Sequence, residues 1–512
     1  MATAVTEVET HLPTSPPEAP AEPLLRHVAI ALSFLLLMTA GQYVVTKELA
    51  DIFDPDAYGL VQIVFQIGML APMLFGLQLT AGLRYYAAQA RTGRPELRTD
   101  RVLGVTLALS VWLHAAMALV LILAAGPLAQ LYDRAEFAGA LRIMAPFLIA
   151  VALLNVLQAV LNAQKRFVVS CAQLVCRVLA PPVGALVAGW ISRGSAQAAA
   201  LGYGLGLVAV VLLWVWPMRR RLHVDFRVAE HRVLIASLMR YSLPVYAGEL
   251  VKAGLRPLLV MLVGLIALQE AGFVQIAITT VAPGFIVAFS LRIVAVPLIA
   301  ERPSRTERRA MADVLVRWHN LMLLPVLLVL AVAGPAFIRW YYKPEFHQAA
   351  RYLPLLLVML AGNSTVRIIS HVLMGLGHPS AYAKMVGVVV LVAVPGMVWS
   401  TLTGGSPATV LWWLIAGWLA GGVIALWLVI KHRAGIHWLQ TYFQPIGLAV
   451  ATALPILIAQ RLAPSLLWIV VPLAVAVYAF GAYRLARTRA RQGQADLRRL
   501  QVPVADAYTT SR

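Results

Sequence analysis

Apolar residues in this chain gather in long blocks and do not alternate with polar ones. Runs of about twenty apolar positions, separated by short polar or basic stretches, recur from residue 25 to residue 484. A helix rises ~1.5 Å per residue, so each run can cross a hydrocarbon layer of ~30 Å. A membrane β-barrel would show short alternating segments instead. The pattern predicts an all-α, polytopic membrane protein with about 14 transmembrane helices. They are expected at 25–46, 57–83, 102–124, 139–162, 167–190, 197–217, 241–266, 271–299, 318–338, 351–374, 380–401, 409–430, 442–461 and 465–484. Pro72, Pro181, Pro257, Pro283 and Pro354 fall inside these spans and are expected to kink them.

Composition supports the same class. Of 512 residues, 61% are hydrophobic and only 12% are charged, against roughly a quarter charged in a soluble domain. Mean hydropathy is +0.79. Residues 1–23 carry five prolines and four glutamates and read as a disordered tail. No basic segment leads into a short apolar one, so the first span is expected to stay as a start-transfer helix. Cys171 and Cys176 both lie in the fifth span, so no disulfide framework is expected.

A net charge of +20 raises the possibility of nucleic acid, but the charges are distributed by side of the membrane. Alternate loops and the two tails hold 29 of the 42 Lys and Arg, the opposite loops hold seven, and six lie within spans. This asymmetry follows the positive-inside rule, and both termini are expected in the cytoplasm. The basic excess then serves topology and headgroup contact, and no nucleic acid is expected. The segment "YRLARTRARQGQADLRRL" reads as a helix lying on the inner leaflet.

Within this pattern the chain repeats itself. "DAYGLVQI" opens the second span and "QEAGFVQI" the eighth. "AGPLAQLYDRAEF" follows the third span and "AGPAFIRWYYKPEF" the ninth. "LNAQKRF" ends the fourth and "LMGLGHP" the tenth. The three pairs keep one order and one shift of six spans. Six is even, so both halves enter the membrane in the same direction, as parallel repeats. The expected organisation is a tail at 1–23, a six-helix lobe at 24–218, a basic linker at 219–240 and a second six-helix lobe at 241–431. Two added helices follow at 442–484, and a basic tail at 485–512. Two such lobes would enclose a cavity and rock about it.

Charges at membrane depth cost at least ~2.5 kcal/mol each, so they mark function by default. Six cations fall within spans: Arg142, Arg177, Lys252, Arg256, Arg292 and Arg367. One acid, Glu249, joins them. Arg142 lies near a span end, where it can reach the headgroups. Glu249, Lys252 and Arg256 are spaced by three and four residues and share one helix face. A plain ion pair between Glu249 and Lys252 would still leave Arg256 over. Asn363, Arg367 and Ser370 form a stripe on the tenth span, and Asn155, Gln158 and Asn162 one on the fourth. Interhelical hydrogen bonding is the competing role for the latter. Arg292 can also reach the inner headgroups. Five deep cations against one acid call for an anionic substrate, and the planar fork of Arg suits phosphate. The expected phosphate-binding set is Lys252, Arg256, Arg177, Arg367 and Arg292, with Asn155, Gln158, Asn162 and Asn363 as polar cavity residues. Glu249 is the candidate for proton coupling. No catalytic residue, metal or cofactor is expected.

The stretch "ELADIFDPDAYGLVQIVFQIGMLAPMLFGLQLTAGLRYY", with "LMGLGHPSAYAKMVGVVV" in the second half, resembles the Wzx-type flippases of bacterial surface polysaccharide synthesis. The likeness extends over roughly residues 25–430. That family belongs to the superfamily that also holds multidrug exporters and lipid II flippases. The resemblance implies two bundles, a cationic cavity, and transfer of a polyprenyl-pyrophosphate-linked oligosaccharide from the inner to the outer leaflet. Membrane lipids, a polysaccharide polymerase and glycosyltransferases are the implied partners. The two extra spans resemble those of the lipid II flippases, which keeps that substrate as the alternative. A multidrug exporter would be expected to carry acids in its lumen. A membrane glycosyltransferase would use acids such as Asp51, Asp54 and Asp56, but "DPDAYG" reads as a turn in which Asp56 caps the next helix. No HExxH, Gly-rich phosphate loop or nucleophile elbow appears. A scaffold for glycosyltransferases would leave the buried cations unexplained.

Overall fold

The second span shows how the sequence writes its helices. Asp54 stops the preceding chain and caps helix α2 (Pro55–Phe75), its Oδ1 accepting from the Ala57 amide at 2.8 Å. Pro55 takes the first helical position, where a missing N–H costs nothing. Asp54 is therefore the cap, not Asp56. Asp56 sits inside the first turn and pairs with Arg134 at 3.2 Å.

The structure is a computed structural model. It describes residues 21–90, 99–164, 166–218, 232–286, 304–378, 380–432 and 439–462, with single positions at 295, 299, 302, 434 and 436 and a scatter over 470–484. Around α2 the described helices are α1 (Ala21–Ile52), α3 (Leu79–Ala90), α4 (Thr99–Leu131), α5 (Ala135–Met144), α6 (Ile149–Ala163), α7 (Phe167–Ile191) and α8 (Ala196–Met218). The second half follows as α9 (Arg232–Ile266), α10 (Leu268–Thr280), α11 (Arg305–Tyr341), α12 (Leu353–Gly375), α13 (Ser380–Leu402) and α14 (Pro407–Lys431). α15 (Gln444–Leu462) comes after these. Among the described residues there is no strand, and nine helical segments are long and apolar enough to cross a membrane.

Three expectations change. The span expected at 57–83 is two helices. Pro72 cannot donate to the α2 ladder, and Gly76 closes α2 on the Pro72 carbonyl at 2.9 Å. Leu77 and Gln78 then take left-handed φ values of 45° and 50°. The tail expected over 1–23 gives up its last three residues to α1, which begins at Ala21. The linker expected over 219–240 is helical from Arg232, because "RVLIASLMRY" holds no glycine or proline to stop α9. Residues 1–20, half of the last expected span and the basic tail lie outside the described residues.

The duplication is visible in the packing. α2 and α10, which open with the repeated pentapeptide, cross each other through its glycines. A Cβ on Gly59 would lie 1.8 Å from the Leu268 carbonyl oxygen, and one on Gly272 would lie 2.9 Å from the Tyr58 ring. Only glycine permits that approach. The second repeated motif places Phe137 in the first half and Phe346 in the second, and both are fully buried. α7 packs on α8 as α13 packs on α14. The helical turn just before α15 (Leu439–Phe443) docks on α11 through buried polar groups: Asn320 donates to the Thr441 carbonyl at 2.8 Å, and Thr441 donates to Asp313 at 2.6 Å.

Candidate functional site

The α2–α10 crossing forms part of the wall of a cavity of about 410 Å³, to which α1, α2, α3, α4, α6, α7, α8, α9 and α10 contribute. The repeated pentapeptide contributes one glutamine from each half, Gln62 and Gln275. One turn further along α2, Gln66 donates to Oε1 of Gln275 at 3.1 Å, so an amide bond joins the two repeats inside the cavity. The broken segment after α2 also faces the space, through Gly76, Gln78 and Thr80. Irregular backbone at membrane depth is tolerated where it lines such a space.

Two guanidinium groups face the cavity, Arg177 from α7 and Arg256 from α9. Arg177 is half-buried and donates from Nη1 to Oδ1 of Asn155 and, at 3.3 Å, to Oε1 of Gln158. Both acceptors are neutral amides, so they orient the guanidinium without cancelling its charge. Arg256 is exposed to the solvent space. Pro257 follows it directly and leaves the Ala253 carbonyl without its helical donor. Among the described residues, no carboxylate lines the cavity. Tyr203 lines the space beside Phe65, their rings 4.6 Å apart. His114 is buried, and its Nδ1 lies 2.7 Å from the Ser110 carbonyl. That oxygen only accepts, so Nδ1 carries the proton and Nε2 is an acceptor with no partner among the described residues.

Of the residues singled out from the sequence, Arg177, Arg256 and Asn155 line the cavity, and Gln158 supports Arg177. Asn162 is half-buried near the end of α6 and does not line the space. Asn363 and Arg367 belong to α12 and are not among the lining residues either. Glu249 is half-buried on α9, two turns before Arg256. Lys252 lies on α9 between them, but its side chain is outside the described residues, as is Arg292 altogether. Sequence reasoning missed Gln62, Gln66, Gln275, His114 and Tyr203. The glutamines carried a signal, since Gln62 and Gln275 are the polar letters of the repeated pentapeptide. His114 carried a weaker one, as a lone polar residue in "VWLHAAMA".

A family profile described as "Polysaccharide biosynthesis protein" matches residues 49–351. The lipid III flippases of Escherichia coli (strain K12) and Shigella flexneri are each 32% identical over 133 residues, which is 26% of this chain. The chain spans 31% of the length of each of these curated relatives. Among solved structures, the lipid II flippase MurJ in an inward closed conformation is similar with a TM-score of 0.64 and 12% identity. The match covers 89% of this chain and 100% of that one. An inward-facing MATE-family multidrug transporter of the MOP superfamily is similar with a TM-score of 0.63 and 15% identity, covering 80% and 98%. The chain shares the polytopic helical fold of these solved structures, as the quoted motifs led us to expect.

Proposed function

The chain belongs to the polysaccharide biosynthesis protein family, and from that premise we propose that it is a flippase. Its substrate is a polyprenyl-pyrophosphate-linked oligosaccharide, carried across the cytoplasmic membrane for surface or exopolysaccharide synthesis. One observation carries this reading: among the described residues, the cavity between the two repeats is lined by Arg177 and Arg256 and by no carboxylate. Guanidinium groups in a low-dielectric space attract a multivalent anion strongly, and their planar fork matches phosphate oxygens. Asn155 and Gln158 hold Arg177 in place before the anion arrives.

The glycan occupies the polar part of the cavity, where Gln62, Gln66 and Gln275 offer amides to its hydroxyls. The polyprenyl tail stays in the lipid. Rocking of the two lobes, residues 24–218 against residues 241–431, then exposes the site to the opposite leaflet. By its sequence spacing from Arg256, Lys252 is a further candidate for the anion site, and protonation of Glu249 couples transport to the proton gradient. On the sequence pattern alone, Arg292 and Arg367 are further candidates to attract the anion, with Asn162 and Asn363 as further polar candidates. Both termini face the cytoplasm, and the polymerase and glycosyltransferases act on either side of the step.

Deletion of the gene should accumulate lipid-linked oligosaccharide on the inner leaflet. The wild-type chain should clear it. Arg177→Gln and Arg256→Gln, at equal protein levels, should each lower surface polysaccharide by about tenfold or more, the loss that ~1.4 kcal/mol of binding produces. Full rescue by both variants would rule out this site.

A further inference from the structure

A second hollow, of about 320 Å³, lies outside the central cavity, where three pieces of the second repeat meet. The first turns of α11 supply Arg305, Arg308 and Arg309. The turn after α12 supplies Leu376 and His378, and the end of α14 supplies His432. Positions 305, 308 and 309 fall on one helix face. Among the described residues, no carboxylate forms an ion pair with any of these arginines. Glu307 shares the turn, and its amide is held by the Ser304 cap at 3.1 Å. Arg308 donates through Nε to the Arg302 carbonyl at 2.8 Å, which aims its Nη groups without neutralising them.

The two histidines stack face to face, ring centroids 3.8 Å apart and planes 26° apart. Two imidazolium ions would repel at that distance. Its position is set by the repeated motif "LMGLGHP": Gly377 takes φ 90°, and the His378 amide then closes on the Leu373 carbonyl at 2.8 Å. A side chain at 377 would meet no neighbour, so the backbone conformation, not space, requires glycine there. The turn thus brings an imidazole against a second one, beside three guanidiniums gathered on one helix face.

We propose that this hollow binds a phosphate group, either a phospholipid headgroup or a soluble pyrophosphate. Guanidinium forks supply paired donors to phosphate oxygens, the N-terminus of α11 adds its positive dipole end, and the stacked imidazoles supply further donors. Occupancy ties α11, the α12–α13 turn and the end of α14 into one unit. The site is separate from the central cavity, and the inference does not rest on the transport reading.

Binding should also depend on pH. His432 titrates below the usual imidazole range, first through burial and then through His378, Lys431 and Lys384. The groups that face it are His378, Lys431, Lys384, Arg305, Arg308 and Arg309, all cations or neutral bases. An anion in the hollow favours the protonated imidazole, so binding takes up a proton and tightens as pH falls.

The test uses the purified full chain in two arms: calorimetric titration with inorganic pyrophosphate, and native mass spectrometry after incubation with phosphatidylglycerol or phosphatidylcholine vesicles. We expect binding in at least one anionic arm and none to phosphatidylcholine; the arm that binds identifies the source. Arg305→Gln with Arg309→Gln should weaken it about tenfold or more, and lowering the pH from about 7.5 to about 6 should tighten it. Binding should persist in an Arg177→Gln, Arg256→Gln background, in which the central cavity no longer contributes to the signal. Arg305→Gln alone, at an exposed side chain with no structural hydrogen bond, guards against misfolding and should weaken binding measurably. No binding to either anionic probe, or equal binding by wild type and both arginine variants, would overturn the proposal.

Discussion

Arg177 shows what a single residue contributes to the account. Its charge was legible from the sequence, because a cation inside an apolar run must have a reason. Its partners were not, since Asn155 and Gln158 read equally well as interhelical glue. The structure gives the stripe both roles: it joins α6 to α7 and aims the guanidinium at the cavity. A neutral acceptor preserves the charge, whereas a carboxylate would cancel it. Asn155→Asp should therefore lower affinity for the pyrophosphate group by about tenfold or more, although the change adds almost no volume. Asn155→Ala should cost less. The pair is compared by substrate binding on detergent-purified protein, and equal affinity in both would remove charge from the explanation. Arg256 was legible for the same reason as Arg177. Uncharged residues gave less away: an apolar span tolerates a glutamine or a histidine as hydrogen-bonding glue, so Gln66 and His114 did not stand out. Arg367 marks the opposite limit, because its charge says nothing of which space it serves.

Elements carry a different kind of information. Helix positions followed from hydrophobicity, and the repeat followed from three pairs of short motifs. The purpose of the repeated pentapeptide did not, because a glycine in an apolar run can mean a kink, a close approach or nothing. Here Gly59 and Gly272 let α2 and α10 cross in contact. Gly59→Ala would push a methyl group into the Leu268 carbonyl, and it should lower thermal stability by an amount typical of an overpacked core, about 1–3 kcal/mol. The break after α2 was also hidden. Pro72 announced a kink, but nothing in "LFGLQLT" demanded two consecutive left-handed residues. Such positions cost ~1–3 kcal/mol each and gather at functional sites. A β-branched side chain fits them worst. Gln78→Val should lower the melting temperature, and Gln78→Gly should leave it equal or higher. The reverse order would mean that the turn is unstrained.

At the scale of the whole molecule, hydrogen bonds join the two repeats at both ends of the cavity. At the end that the charge pattern assigns to the outside, Tyr43 donates to the Thr280 carbonyl at 2.7 Å and Tyr132 to that of Met261 at 3.0 Å, while Lys343 reaches the Asp51 carbonyl. At the other end Tyr246 donates to the Leu74 carbonyl at 2.8 Å, and Tyr85 stacks on Tyr241 at 4.4 Å. Alternating access requires one set to part while the other holds. Each neutral bond is worth about 1 kcal/mol, so removing two at one end should shift the population about thirtyfold. In a background with Cys171 and Cys176 replaced by Ser, Tyr43→Phe with Tyr132→Phe should raise labelling of Thr46→Cys by an impermeant maleimide from outside. Unchanged labelling would mean that these contacts do not form a gate. None of these contacts could be read from the chain, since each joins residues more than a hundred positions apart.

The central claim, that the cavity holds a pyrophosphate on two arginines, is tested most directly by comparing two ligands that differ only in that group. A lipid-linked oligosaccharide bearing its pyrophosphate and the same molecule without it are titrated against the purified chain and its Arg177→Gln, Arg256→Gln double variant. The wild type should bind the pyrophosphate form about tenfold or more tightly than the other, and the double variant should bind both alike. Equal affinity of the wild type for the two ligands, or an undiminished preference in the double variant, would contradict it.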